Sequence, residues 1–560
     1  MFGGAAMTRV LAVATMALPL AILLGGDGGF GSPSATTVRF VAANGSDARQ
    51  CTQSAPCASF NRAWQLAQPG DVVEVAGGSY PGQTLAPASK SSSALVVFRP
   101  ASGARVTISG DFETGGRTQN AGAQHFELRD FTVTGYVSLA WGAEDVTLRN
   151  LDASGFDLNS ARRVRVLGGD WGPTVDGYSS INACGVSGCF PAEDILIDGA
   201  YFHDYLLSES GVVNDVHMQC IQIWPGRRVT IRNSTFRNCT DFGVLVDPYN
   251  TALVGSPGDL VFENNFFDEP MPGDVATVQC NPSCPRGGSA ISLKDREGWS
   301  GVSIRYNSSL GDIQVDPGVR GVRIKGNIGP KRESFFCTAG SDTVYDHNVW
   351  SGARCSASDR TAPLSNVFRG ASSIGFDLRL KPGSRAGGAG DPMDHPKRDI
   401  KGRLRPVAFA PDAGAWQREP ALVVPGRSIG TASIGMRRED VADFYGPNPR
   451  RVTVKLADGS RADVDDYRVQ GGRLRVTYRG EKAIAISTTS RYYQTARGLG
   501  PGAPLKARAQ DDGRCRPVGA GAGKARLYVR PTRSKKPVVA EIVVVAARFK
   551  PSCAVASARG

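Results

Sequence analysis

Methionine is scarce in this chain, at 7 of 560 residues, and aromatic residues make up only 8%. Long amphipathic helical periodicity is hard to find after the first thirty residues. With 68 glycines, that argues against a helical bundle and for an all-β, turn-rich protein. No apolar run beyond the N-terminus approaches membrane length. Paired CxxC units are absent, as is CxxC joined to HxxxH, so zinc is not indicated. "GAGAGKAR" (Gly519–Arg526) lacks phosphate-loop spacing, with Ala525 where that loop needs Ser or Thr, and reads as a hairpin tip.

What the chain does carry begins with an export signal. Arg9 gives a thin positive region, Val10–Leu24 is apolar but short for a membrane span, and small residues follow. Residues 1–35 are therefore expected to be a signal peptide, with no membrane span after its removal. The 12 cysteines fall in close neighbours: Cys51/Cys57, Cys184/Cys189, Cys220/Cys239, Cys280/Cys284, Cys337/Cys355 and Cys515/Cys553. An even count in that pattern suggests local disulfides made in an oxidising compartment. Charge is uneven. Residues 421–560 hold 27 basic and 11 acidic side chains, net +16, whereas the remainder is net −3. A basic module of this kind suits an anionic cell-wall polymer, a polysaccharide or, as the weaker reading, nucleic acid; a merely solvated basic surface is the competing view.

The middle of the chain repeats. "VTISG" at Val106, "FELRDFTV" at Phe126, "VTLRNLDA" at Val146 and "VRVLGGD" at Val164 begin the series. "ILIDGAYF" at Ile195, "VTIRNSTF" at Val229, "LVFENNFF" at Leu260, "VSIRYNSS" at Val302, "VRIKGNIG" at Val322 and "TVYDHNVW" at Thr343 continue it. Asn265, Asn307, Asn327 and Asn348 share one offset, where left-handed backbone is cheap for Asn. Phe202, Phe236 and Phe267 share another, as stacked core aromatics would. A second strand recurs at Ile221, Val244, Ile291 and Ile313. Short strand pairs cannot bury their apolar faces alone, but coiled one upon the next they share a core. A β-sandwich would not keep this constant phase. The expected fold is all-β: a right-handed parallel β-helix (solenoid) over residues 36–420 and a small C-terminal β-rich domain over 421–560.

Here the sequence resembles the secreted right-handed parallel β-helix proteins of the pectin-lyase-like superfamily. Val38–Gly82 resembles their N-terminal cap, with Ser59 capping a short helix that buries Trp64 and Ala67. Phe376–Pro392 and Asp399–Gln417 resemble closing coils. The resemblance implies the fold; the superfamily includes lyases, hydrolases and adhesins, so it does not name the chemistry.

Phase alone picks out a candidate site. One outward column reads Ala140, Asn159, Trp224, Asp247, Lys294, Asp316; the column one step earlier reads Ser138, Asp157, Gln222, Leu245, Ser292, Gln314. Trp224 would lie under a sugar ring, with Gln222 and Gln314 bonding its hydroxyls. Three readings compete for Asp247, Lys294 and Asp316. "AISLKD" resembles the catalytic-lysine strand of lyases that cleave alginate and dermatan, which makes Lys294 a β-elimination base. That family expects an arginine about one coil later, where this chain has Asp316, and flanking carboxylates would raise the lysine pKa, against a base. Alternatively, Asp247 and Asp316 are an inverting hydrolase pair, about 9.6 Å apart by coil spacing. The third reading is a cross-strand charge ladder, each contact contributing about 0.2–1 kcal/mol. Asp215 and His217, in "NDVHMQCIQIWPG", form a further acid–imidazole candidate beside the same strand. His203 and Asp204 are expected in a turn.

The sequence thus points to a secreted, extracellular protein, cell-wall associated through its basic module. Its partner is a polysaccharide, most simply an acidic one, that it binds and, as an enzyme, would cleave. Both an enzyme and a non-catalytic adhesion platform fit these residues. No cofactor is indicated: Asp-rich loops could hold calcium, but no spacing demands it.

Overall fold

Alternation with a period of two gives each short run one apolar edge, and coiling stacks those edges over a common interior. The computed structural model describes residues 36–115, 122–183, 190–208, 218–247, 258–268, 289–294, 300–330, 337, 342–381, 383–405, 410–418, 422–456, 458–469, 471–495, 497–505, 516–518, 527–532 and 538–546. Residues 1–35, Asp215, His217, Cys184, Cys189, Cys280, Cys284, Cys515, Cys553 and Gly519–Arg526, all singled out above, lie outside these.

Twelve parallel strands form the first sheet, from Val38–Val41 to Val344–Asp346. Phe126 faces Val146, which faces Val164; Ile195 faces Val229; Leu260 faces Val302, which faces Val322. One expected member moves. Val106 pairs with Gly78 in a different sheet, and Val96–Pro100 takes its place in the first. The run Val106–Thr114 is a single long strand carrying buried residues on either side of Gly110, whose φ is 118°. Alternation alone does not give its phase.

Later coils turn twice more, giving a second short strand such as Thr235–Cys239 and a third such as Phe242–Val246. All pair in parallel with the next coil, and the fold is a right-handed parallel β-helix, the hand that parallel crossovers favour. Phe202, Phe236 and Phe267 stack inside it, with centroids 5.0 and 4.7 Å apart and planes within 11°. On the third face, Ile221, Val244, Ile291 and Ile313 are in register. Among the described residues three disulfides form, Cys51–Cys57, Cys220–Cys239 and Cys337–Cys355.

The asparagines do different work from that expected. Left-handed backbone falls one residue earlier, at Asn264, Tyr306, Gly326 and His347. Asn265, Asn307, Asn327 and Asn348 are instead fully buried rungs. The side-chain oxygen of each accepts the backbone N–H of the rung before it, at 2.9 Å throughout, and Asn265 serves Ser234 in the same way. Each Nδ2 donates to a carbonyl of the preceding coil. Asp359 ends the ladder, accepting from Asn348, Trp350 Nε1 and the backbone of Cys355 and Ser356.

Helix Phe60–Leu66 covers the first coils, with Ser59 Oγ accepting the Arg62 N–H and Trp64 fully buried. The far end differs from expectation. Phe368–Gly370 and Asp377–Leu380 pair antiparallel, and residues 383–405 and 410–418 run back along the wall instead of coiling further. Arg405 Nη2 donates to Asn264 Oδ1 at 2.9 Å, and Ser308 Oγ accepts the Ala415 N–H. This glycine-rich stretch has too few alternating apolar residues to make a rung. Beyond it, helix Arg438–Tyr445 precedes an antiparallel seven-stranded sheet. It includes Leu527–Pro531 and Arg461–Val469, a strand whose acidic residues mask its alternation in the sequence. Among the described residues no helix is long and apolar enough to cross a membrane.

Candidate functional site

The third face carries the site. Backbone ladders fix its outer column: Trp224 N–H donates to Ile181 O, Asp247 to Ile223 O, Lys294 to Val246 O and Asp316 to Leu293 O, all at 2.9–3.0 Å. Each residue sits one step past an inward apolar pair, so the four stack in consecutive coils. The neighbouring column reads Ser138, Asp157, Ser180, Gln222, Leu245, Ser292, Gln314. Ser180 belongs to a coil that phase counting missed. Its strand, Ser179–Asn182, follows the two-residue strands Asp170–Trp171 and Thr174–Val175.

The face is sheltered. Gln222, Leu245 and Ser292 are buried, although they alternate with the inward residues, while Trp224, Asp247, Lys294 and Asp316 are half-buried. Gln314 Oε1 accepts from the hydroxyls of Ser289 and Ser292, at 3.2 and 3.3 Å, and Gln222 Oε1 accepts from Gln219 Nε2. Their amide N–H donors are what such glutamines offer a ligand. The Lys294 ammonium lies 5.9 Å from the Phe242 ring centre.

Lower coils add a group that the sequence reading did not assign. Tyr178 meets Trp224 edge-on at 6.4 Å. Ser180 Oγ donates to Asp157 Oδ1 at 2.7 Å. Asp111 Oδ1 accepts the Tyr136 N–H at 2.8 Å, and the Tyr136 hydroxyl pairs with Thr174 Oγ1 at 3.1 Å. Burial pushes the Asp157 carboxyl above the usual carboxylate range; the Ser180 bond opposes this, and the charge of Asp111 adds to it. Burial also raises the phenols of Tyr136 and Tyr178, with Asp157 as a lesser cause. Asp157 already stood in the outward column, but its partners come from coils 20 or more residues away, which no local motif reports. From the Asp111 coil to the Asp316 coil the face is about 34 Å tall at about 4.8 Å per coil.

Two other clusters bring histidine and carboxylate groups together. His203 and Asp204 lie inside the strand Tyr201–Leu206, not in a turn. The imidazole is held between Asp204, at 2.8 Å, and Asp170, at 2.9 Å, and stacks on Tyr201. Asp204 is the largest cause raising its pKa above 6.5, against a smaller lowering by burial. Because the folded value is the higher one, this pairing stabilises fully below about pH 6.5 and is lost as pH rises through the folded pKa. The stability gap between the wild type and His203→Gln should therefore narrow from about pH 6.5 upward in thermal unfolding. A gap constant with pH would contradict the pairing. Asp346, His347 and Asp391 approach as metal ligands would, but the Lys325 ammonium already lies 3.6 Å from Asp346 and 3.1 Å from Asp391 and supplies the positive charge there.

No protein-family model matches the chain, and no curated protein does. Among solved structures it is similar to pectate lyase Pel9A, at 14% identity over 69% of this chain and 97% of that one, TM-score 0.36. A rhamnogalacturonan lyase matches at 13% identity over 56% of this chain and 87% of that one, TM-score 0.26. The Streptococcus pneumoniae surface protein and adhesin PfbA matches at 13% over 54% and 80%, TM-score 0.30. Likeness at this level bears on fold alone. By its own coil register, the chain is a right-handed parallel β-helix.

Proposed function

We propose that the protein binds an extracellular, acidic polysaccharide along the third face of its solenoid. The observation that carries this is the pairing of Trp224 with Tyr178 at the centre of a sheltered, polar column. An indole and a phenol set edge to face give a sugar ring one flat apolar support and one hydroxyl partner. Gln222, Ser180 and Gln314 are spaced at coil intervals for successive hydroxyls, and Lys294 is the cation for a uronate carboxylate. Lys294 as an eliminating base is the weaker role: Asp247 and Asp316 occupy the coils on either side, where a neutralising arginine would be needed. Trp224→Ala and Tyr178→Ala should each weaken glycan binding about tenfold, some 1.4 kcal/mol, with little change in folding. Calorimetry across acidic and neutral oligosaccharides reads this, and unchanged affinity in both variants would remove the platform.

A second reading, cleavage by hydrolysis, is favoured by the raised carboxyl of Asp157 beside Asp111. A carboxyl that holds its proton above the usual carboxylate range suits the protonation of a departing glycosidic oxygen. Reducing-end release by the wild type, abolished in Asp157→Asn with binding retained, would establish it. An absorbing unsaturated product would instead return the chemistry to Lys294.

A further inference from the structure

Away from the solenoid, the antiparallel sheet carries a cavity of about 550 Å³, lined among others by Tyr445, Pro447, Pro449, Arg450, Arg468 and Arg473. That volume suits a single sugar-sized unit. The charge around it is unbalanced. Across the strands Arg450 faces Asp466 and Arg468 faces Arg473. Asp466 is already committed: one carboxylate oxygen takes Arg473 at 2.8 Å and the other takes Arg475 at 3.2 Å. No ion pair forms at Arg450 or Arg468 among the described residues, and both are exposed. Like charges directly opposite each other in a sheet are destabilising, and a fold that needed only solubility would not place two guanidinium groups there around a concavity. The rim is prearranged. Pro447 and Pro449 fix the backbone torsions of the loop that follows the helix, and the Tyr445 hydroxyl is anchored by the N–H groups of Thr431 and Ala432. Guanidinium forks match the two oxygens of a carboxylate or a phosphate.

We propose that this cavity is a second binding site, for a sugar unit bearing an oxyanion, with Arg450 and Arg468 as its contacts and Arg473 held in place by Asp466. It is independent of the third face and gives the basic module a defined seat for an acidic polymer.

The test uses the full chain carrying Trp224→Ala, so that failure at the third face does not obscure the result. Binding of a polyuronate oligomer, a glycosyl-phosphate oligomer and a neutral dextran oligomer is measured at two salt concentrations. At least one anionic oligomer should bind, and whichever is tighter names the source of the oxyanion. Arg450→Gln with Arg468→Gln should lower that affinity at least tenfold and flatten its salt dependence, with an unchanged melting temperature. The corresponding lysine pair should restore only part of it. Equal binding of the neutral oligomer, affinity that survives the glutamine pair, or full restoration by lysine would overturn the site, the last by leaving only diffuse electrostatics.

Discussion

Asn307→Ala should cost the solenoid about 3–5 kcal/mol, far above an ordinary surface substitution. Asn307 Oδ1 is the acceptor for the Asn265 N–H at 2.9 Å, and its Nδ2 donates to Phe262 O at 2.9 Å and to Asn327 Oδ1 at 3.0 Å. Truncation leaves an N–H and a carbonyl without partners in a dry interior, at about 1–3 kcal/mol each, plus a small void. Asn307→Asp tests the same rung from the other side. It keeps the acceptor but puts a carboxylate oxygen against two acceptors, so its folded pKa must rise. Its deficit should therefore shrink as pH falls through that value, whereas the alanine deficit should not. Denaturant midpoints across pH measure both. A loss below about 1 kcal/mol for alanine would mean that water replaces the rung.

That ladder also shows how far the sequence could be read. The four asparagines were visible at one offset, and the solenoid followed from the phase they share with Val146, Val229 and Val302. Their role was not visible, because a left-handed turn residue and a buried rung are adjacent positions with overlapping residue preferences. The bonding partner that separates them lies 42 residues away for Asn265 and 20 for Asn307. The candidate site follows the same rule. Trp224, Asp247, Lys294 and Asp316 were placed by phase, since phase is a local property. Ser180 was lost because short strands interrupt the repeat, and the significance of Asp157 lies in Ser180 and Asp111, which only coiling brings near it. The cavity near Arg450 depends on cross-strand opposition to Arg461–Val469, a strand whose acidic residues hid its alternation.

Arg405→Met should be nearly as damaging, at about 3–5 kcal/mol, and should release the stretch that runs back along the wall. Arg405 is 1% exposed. Its Nη1 donates to Asp412 O at 3.0 Å, and its Nη2 to Asn264 Oδ1 at 2.9 Å and Gly414 O at 2.8 Å. The guanidinium carbon stands 4.7 Å from the Tyr306 ring centre. Burial lowers its pKa, yet among the described residues no carboxylate bonds it directly; Asp399 pairs with Arg403 and Asp412 with Arg418. A guanidinium held by neutral carbonyls depends on every one of them, and removing it orphans three buried acceptors at once. Arg405→Lys keeps the charge but loses the planar fork over Tyr306, so it should recover only part of the loss. Limited proteolysis should cut the methionine variant within residues 383–418 while the coils stay intact, and resistance equal to wild type would show the wall contact to be dispensable. The two predictions are coupled. Asn264, which accepts from Arg405, is the left-handed residue that immediately precedes rung Asn265. Releasing Arg405 loosens the turn that presents the rung, so Asn307→Ala and Arg405→Met combined should cost less than their sum.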